Sequence, residues 1–211
     1  MPMSRRIGLP LVVTMKAAVI GLTALGAFGG LERFEEKGFG WRLIWYPAMI
    51  LLLPVVWRLV GRGPYPYLAD ALITLPFLVD VVGNVLNLYD TITWWDDLNH
   101  FVNWFFLSLG IGVLLLRSRF EPIVLAAFVI AFGATSAIVW ELGEYATFIR
   151  TNKDEFDTAY TDTLGDLALD LVGALLAASI TFYAARRRDR ATAAQPAAPA
   201  SAMSTASASR N

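Results

Sequence analysis

Thirteen residues whose side chains can hold a proton or a metal fall in or beside otherwise apolar stretches, and they gather toward one end of those stretches. They are Asp80, Asn84, Asn87 and Asp90; Asp96, Asp97, His100 and Asn103; Glu141 and Glu144; and Asp162, Asp166 and Asp170. An acid at the centre of a membrane helix costs roughly 2.5–3.5 kcal/mol on insertion scales, so several of them must be buried together in a cavity or on a cation. Glu141 and Glu144 stand at i, i+3. Two carboxylates that close in a low dielectric cannot both stay ionised without a cation or a proton between them. His100 follows Asp96 by four residues, a spacing that lets a carboxylate ligate the same ion as the imidazole or orient the ring. Asp162, Asp166 and Asp170 recur every four residues, and Gly173 and Ala177 continue the same stripe, acidic at one end and small at the other. Asp80, Asn84 and Asn87, at i, i+4 and i+7, read as one stripe of a helix, with Asp80 roughly 15 Å below Asp90.

Bland readings exist for several of these. Asp96 or Asp97 suits a helix N-cap, and so does Asp162. The two asparagines suit an interhelical hydrogen-bond ladder. Capping does not account for His100, for the glutamate pair, or for Asp170, which lies about 12 Å along the axis from Asp162. The ligand candidates are therefore His100, Glu141, Glu144, Asp166 and Asp97. Asp170 and Asp162 are candidate catalytic carboxylates, and Asp80, Asn84 and Asn103 line the pocket beneath. One imidazole among carboxylates suits a divalent metal such as Mn, Fe, Zn or Mg.

The elements that must carry these residues are membrane helices. The chain is 56% hydrophobic and only 17% charged, against about 25% charged in a soluble domain. Six apolar segments stand near the roughly 20 residues that a crossing needs: 9–31, 43–60, 67–89, 98–116, 122–148 and 163–185. Backbone groups in lipid must be satisfied internally, which makes the fold class all-α, a six-helix bundle. The first segment is too long for a signal-peptide core and reads as a span, with Lys16 snorkelling toward the near surface. Ten Lys and Arg fall in the segments on the side of the N-terminus, against five (Arg33, Lys37, Arg42, Arg150 and Lys153) on the other. That bias puts both termini inside and the acidic pocket outside. The expected organisation is a cytoplasmic N-terminus over 1–8, the helical domain over 9–185, and a tail over 186–211, basic and then Ala/Ser/Pro-rich, that cannot bury a core.

Composition also excludes functions. The net charge of −1 provides no field for nucleic acid, and the absence of cysteine removes disulfides, thiolate metal sites and thiol nucleophiles. The expected partner is membrane lipid.

The strings Trp95-Asp96-Asp97-Leu98-Asn99-His100-Phe101, Trp140-Glu141-Leu142-Gly143-Glu144 and Asp162-Thr163-Leu164-Gly165-Asp166 resemble the YjdF-like inner-membrane proteins, and more distantly the VanZ-like membrane proteins. The resemblance spans roughly the third to sixth helices. It implies a small bacterial inner-membrane protein and no particular reaction, with Asp97, His100, Glu141, Glu144, Asp162, Asp166 and Asp170 as the shared positions. The acidic stretch 152–159 departs from the family pattern and leaves a loop-borne substrate contact without support.

Three functions fit: a divalent-metal site, with or without action on a lipid-linked or small substrate; a proton- or cation-coupled transporter; and a non-catalytic structural or partner protein. The inner half looks poor in polar residues, which speaks against alternating access.

Overall fold

The computed structural model describes residues 3–35, 37–61, 63–147, 149–151 and 153–194. Among these, the chain is all helix: α1 (Arg5–Phe28), α2 (Phe39–Val60), α3 (Tyr67–Val85), the single-turn α4 (Leu88–Thr91), α5 (Trp95–Leu115), α6 (Pro122–Thr147) and α7 (Lys153–Ala193). All but α4 are long and apolar enough to cross a membrane, so the expected six-helix membrane bundle is what the chain forms. Leu52, Leu59, Ile123, Val139 and Val172 are exposed on its flanks, as a lipid-facing surface requires.

α5 sits at the centre, packed against α3, α6 and α7, while α1 packs on α2 and α3. Small residues permit the close approach. A side chain on Gly173 of α7 would run into the backbone of Phe101 and Phe105 on α5, and one on Gly133 of α6 would meet Ala174. The stripe Asp166, Asp170, Gly173, Ala177 is buried throughout, so the acidic-then-small pattern does face a neighbouring helix.

Several boundaries differ from those the sequence suggests. α3 stops at Val85, and Asn87 adopts a left-handed conformation with φ 59°, which asparagine tolerates better than most residues. Asn87 therefore leaves the stripe of Asp80 and Asn84. α7 begins at Lys153 rather than near Asp162, so residues 153–159 are helical instead of a loop, and Asp162 is an interior helical residue rather than a cap. α7 also runs on to Ala193, which makes the basic stretch 186–190 helical. A hydropathy criterion sees only the part of a helix that crosses lipid, and α7 extends beyond it at both ends. α5 is preceded by Trp94 with no side-chain cap, so Asp96 and Asp97 lie in its first turn, where the helix dipole favours their charge. Glu36, Arg62, Asn152 and the tail 195–211 lie outside the described residues.

Candidate metal centre

His100 is 6% exposed and lies between two helices of carboxylates. Its Nδ1 is 3.0 Å from Asp170 Oδ1 and 4.0 Å from Glu141 Oε1. Its Nε2 is 3.7 Å from Asp166 Oδ1 and 4.0 Å from Asp96 Oδ1. The helical repeat makes this possible. Asp96 and His100 are one turn apart on α5, Asp166 and Asp170 are one turn apart on α7, and the Gly173 contact brings the two helices together just beyond. Trp104, a further turn along α5, stacks on the imidazole with ring centroids 5.6 Å apart and planes within 6°. Its own Nε1 donates to Gly133 O and Ser136 Oγ, both at 3.1 Å. The ring plane of His100 is thereby set by packing.

The two faces of the imidazole are chemically different. Nδ1 is paired with Asp170 at 3.0 Å, and in a neutral ring whose Nδ1–H donates to that carboxylate, Nε2 carries the free lone pair. Nε2 then faces Asp96 and Asp166, and one ligand atom from each of these three residues lies within 4.8 Å of the others. Ligands about 2.1 Å from a tetrahedral ion stand about 3.4 Å apart, so the separations of 3.7 and 4.0 Å need only small side-chain movements. His100, Glu141 and Glu144 form a second such group, but the Nδ1 facing Glu141 is the one already engaged by Asp170.

Charge in the centre is not balanced. Four carboxylates surround one imidazole, and no Lys or Arg among the described residues forms an ion pair with any of them. Glu141 Oε2 accepts a hydrogen bond from Thr163 at 3.0 Å, but its buried Oε1 has no hydrogen-bond partner, and neither does the buried Oδ2 of Asp170. Buried carboxylate oxygens without donors are costly unless a cation or proton takes that place.

Asp97 is exposed and is not among the carboxylates grouped around the ring; Asp96, its neighbour, lies 4.0 Å from Nε2. Asp162 is exposed too, one turn along α7 from Asp166, yet within electrostatic reach of Asp96, Glu141 and Asp166. Glu144 is half-buried and feels both His100 and Arg42.

Asp80, Asn84 and Asn103 belong to a different network. Asp80 Oδ2 accepts from Arg42 Nη1 at 2.5 Å and from the Tyr46 hydroxyl at 2.6 Å, and Oδ1 accepts from the Tyr89 hydroxyl at 2.8 Å. Asn84 Nδ2 donates to the Asp80 carbonyl at 3.0 Å. Asn99 donates to the Tyr89 oxygen, and Asn103 donates to Asn99 Oδ1 at 2.9 Å. Burial, with the nearby Asp80 charge, holds the Tyr89 phenol well above its ordinary pKa, so it stays a donor. Arg42 is thus no loop charge: it lies in the first turn of α2 and neutralises Asp80. Asp90, by contrast, makes an exposed ion pair with Lys37 at 2.6 Å.

Lys16 does not snorkel. Its Nζ is 2.7 Å from Asp70 Oδ1 and 2.5 Å from the Ile50 carbonyl, with its side chain 10% and that of Asp70 1% exposed. Tyr65 donates to Asp70 Oδ2 at 2.7 Å, and burial followed by that bond raises its phenol pKa well above the ordinary value. Asp70 stands at the opposite end of α3 from Asp80, so that half of the bundle is not bare of polar groups. The sequence held a signal for it: a lysine inside a membrane segment needs an anion, and Asp70 lies one turn into the third segment.

A family model described as "Predicted membrane protein (DUF2238)" matches residues 13–188, which includes every residue of the three networks. An uncharacterized protein of Thermotoga maritima is 33% identical over 109 residues, covering 50% of this chain and 57% of the relative. The match thus spans little more than half of that relative's length. No solved structure matches the chain.

Proposed function

The chain belongs to the DUF2238 family of membrane proteins, and from that premise and the His100 geometry we propose that it binds a divalent metal ion at Nε2 of His100, Asp96 and Asp166. Asp170 is the positioning residue that holds the ring in the right tautomer, and Glu141 offers its free Oε1 as a further ligand. Glu144 is a reserve ligand at the rim, and Asp97 drops out of the set. The observation that carries this reading is the imbalance around one buried imidazole: four carboxylates, two buried oxygens without a hydrogen-bond partner and, among the described residues, no basic partner. The donor set of one nitrogen and several oxygens suits Mn, Fe or Zn better than Ca.

The Lys and Arg bias supports cytoplasmic termini and a centre that opens outward, in the inner membrane of a bacterium. A bound metal lowers the pKa of a coordinated water and so supplies a nucleophile for hydrolysis or transfer on a lipid-linked or small substrate. Asp162, exposed and within electrostatic reach of Asp96 and Asp166, would be the carboxylate to accept a proton from such a water. The helical domain carries all of these residues.

The test is metal analysis of the purified protein. About one equivalent of metal per chain is expected, lost in His100→Ala and accompanied by a fall in thermal stability on chelation. No stoichiometric metal and no response to chelator would sink the proposal. A second reading, a cation-coupled carrier, draws on the Lys16–Asp70 pair, which puts charged groups in the other half as well. Flux into proteoliposomes that requires both Asp70 and Asp170 would favour it, while activity on an added lipid-linked substrate without flux would favour the enzyme.

A further inference from the structure

A cleft of about 370 Å³ opens at the other end of the bundle, where α5 ends, some 20 Å along that helix from His100. Its walls include Arg5 in the first turn of α1, Tyr65, Tyr67 and Leu68 at the start of α3, and Val113 and Arg117 at the end of α5. Two arginines, both exposed, therefore line one small recess among largely apolar residues.

Neither guanidinium is neutralised by an acid among the described residues. Arg5 makes no hydrogen bond or ion pair there, and Arg117 uses Nη1 on the Pro64 carbonyl at 2.9 Å while its guanidinium lies over the Trp57 ring, 5.0 Å from the centroid. The bond to Pro64 and the Trp57 ring position Arg117 while leaving most of its five N–H donors free. Asp70, the acid of this end of α3, is already taken up by Lys16 and Tyr65. The cleft thus carries uncompensated positive charge beside Leu68 and Val113, with tyrosines at the level where membrane aromatics meet headgroups.

We propose that this cleft is a binding site for an anionic phospholipid. The phosphodiester sits between Arg5 and Arg117, whose planar forks match phosphate oxygens, and the glycerol and upper acyl chain lie along Leu68 and Val113. An apolar wall next to the arginines is what a lipid uses and a free phosphate does not. The site is independent of the metal centre.

The test is retention of phosphatidylglycerol over phosphatidylcholine by the full-length protein, measured by native mass spectrometry from mixed micelles. The wild-type protein is expected to prefer phosphatidylglycerol. Arg5→Gln alone, at a side chain that makes no hydrogen bond or ion pair among the described residues, should reduce that preference roughly fivefold. Arg5→Gln/Arg117→Gln should abolish it, whereas Arg117→Lys, which keeps the charge but loses the planar fork, should keep part of it, more than Arg117→Gln retains. Metal content and thermal unfolding should be unchanged in Arg5→Gln. A wild-type protein without preference, or a preference that survives in the double glutamine variant, would overturn the proposal. Displacement of the lipid by millimolar inorganic phosphate would overturn it as well, since the site would then read phosphate alone.

Discussion

Asp80 and Asp170 are both buried acids in the same half of one bundle, but their surroundings differ. Asp80 has a cation of its own in Arg42, two tyrosine hydroxyls and an asparagine, and both of its oxygens are engaged. Asp170 has only the Nδ1 of His100, one of its oxygens has no partner, and three further carboxylates crowd the same ring. Lys16–Asp70 follows the Asp80 pattern. The contrast separates acids that hold helices together from acids left free to take up a cation or a proton. Where the chain supplies the countercharge, the group is structural; where it does not, a bound cation or a proton can supply it.

The largest test of this contrast is at the self-contained pairs. Arg42→Ala or Lys16→Ala leaves a buried carboxylate unpaired and should cost about 3–5 kcal/mol in unfolding from detergent. Replacing both members, as in Lys16→Met/Asp70→Leu, should recover much of that loss, because a buried ion pair stabilises little more than well-packed apolar residues; Arg42→Met/Asp80→Leu should recover less, since it leaves the Tyr46 and Tyr89 hydroxyls without their acceptor. If the single variants unfold like the wild type, the division into structural and ligand-binding acids fails.

The His100 centre should respond in the opposite sense. Asp170→Asn is expected to weaken metal binding about 10–100-fold, by titration against a competing chelator, while His100→Ala abolishes it. Stability measured without metal should fall little in Asp170→Asn, or even rise, since that change removes one carboxylate from the crowd; it should fall further in His100→Ala, which leaves the buried Asp170 without its one hydrogen-bond partner.

A smaller effect is expected at the seam that builds the centre. Gly173→Ala pushes a methyl group into the backbone of Phe101 and Phe105, and overpacking of this kind costs about 1–3 kcal/mol. Metal affinity should fall with it, because Asp166 and Asp170 ride on the displaced helix. The smallest effect belongs to Asp97→Asn. Its side chain is exposed and outside the centre, so neither unfolding nor metal content should change measurably. Loss of metal in that variant would restore Asp97 to the ligand set at the expense of Asp96.

Much of this was legible along the chain. An acid in a lipid-facing position is too costly to be idle, so Asp80, Glu141, Asp166 and Asp170 declared themselves by hydropathy alone. The four-residue spacings placed His100 with Asp96 and Asp166 with Asp170, because a helix returns to the same face at that interval. The resemblance carried by the three acidic motifs agreed with the family match. Less legible were the partners. Arg42 read as a loop charge and Lys16 as a snorkelling one, since charge counting treats a cation near a helix end as solvated. The choice between Asp96 and Asp97 depended on the exact rotation of α5, which adjacent residues of the same type do not reveal.

The sequence by itself determined six helices, the half of the bundle that holds most of the buried acids, and the residues too expensive to leave unpaired, because the cost of burying charge in lipid is a local property of each segment. Only the tertiary structure decided which acids share a ring of His100 and which close onto Arg42 or Lys16. That division depends on how helices far apart in the chain rotate and approach one another, and close packing through Gly133 and Gly173 sets it to within a fraction of a helical turn.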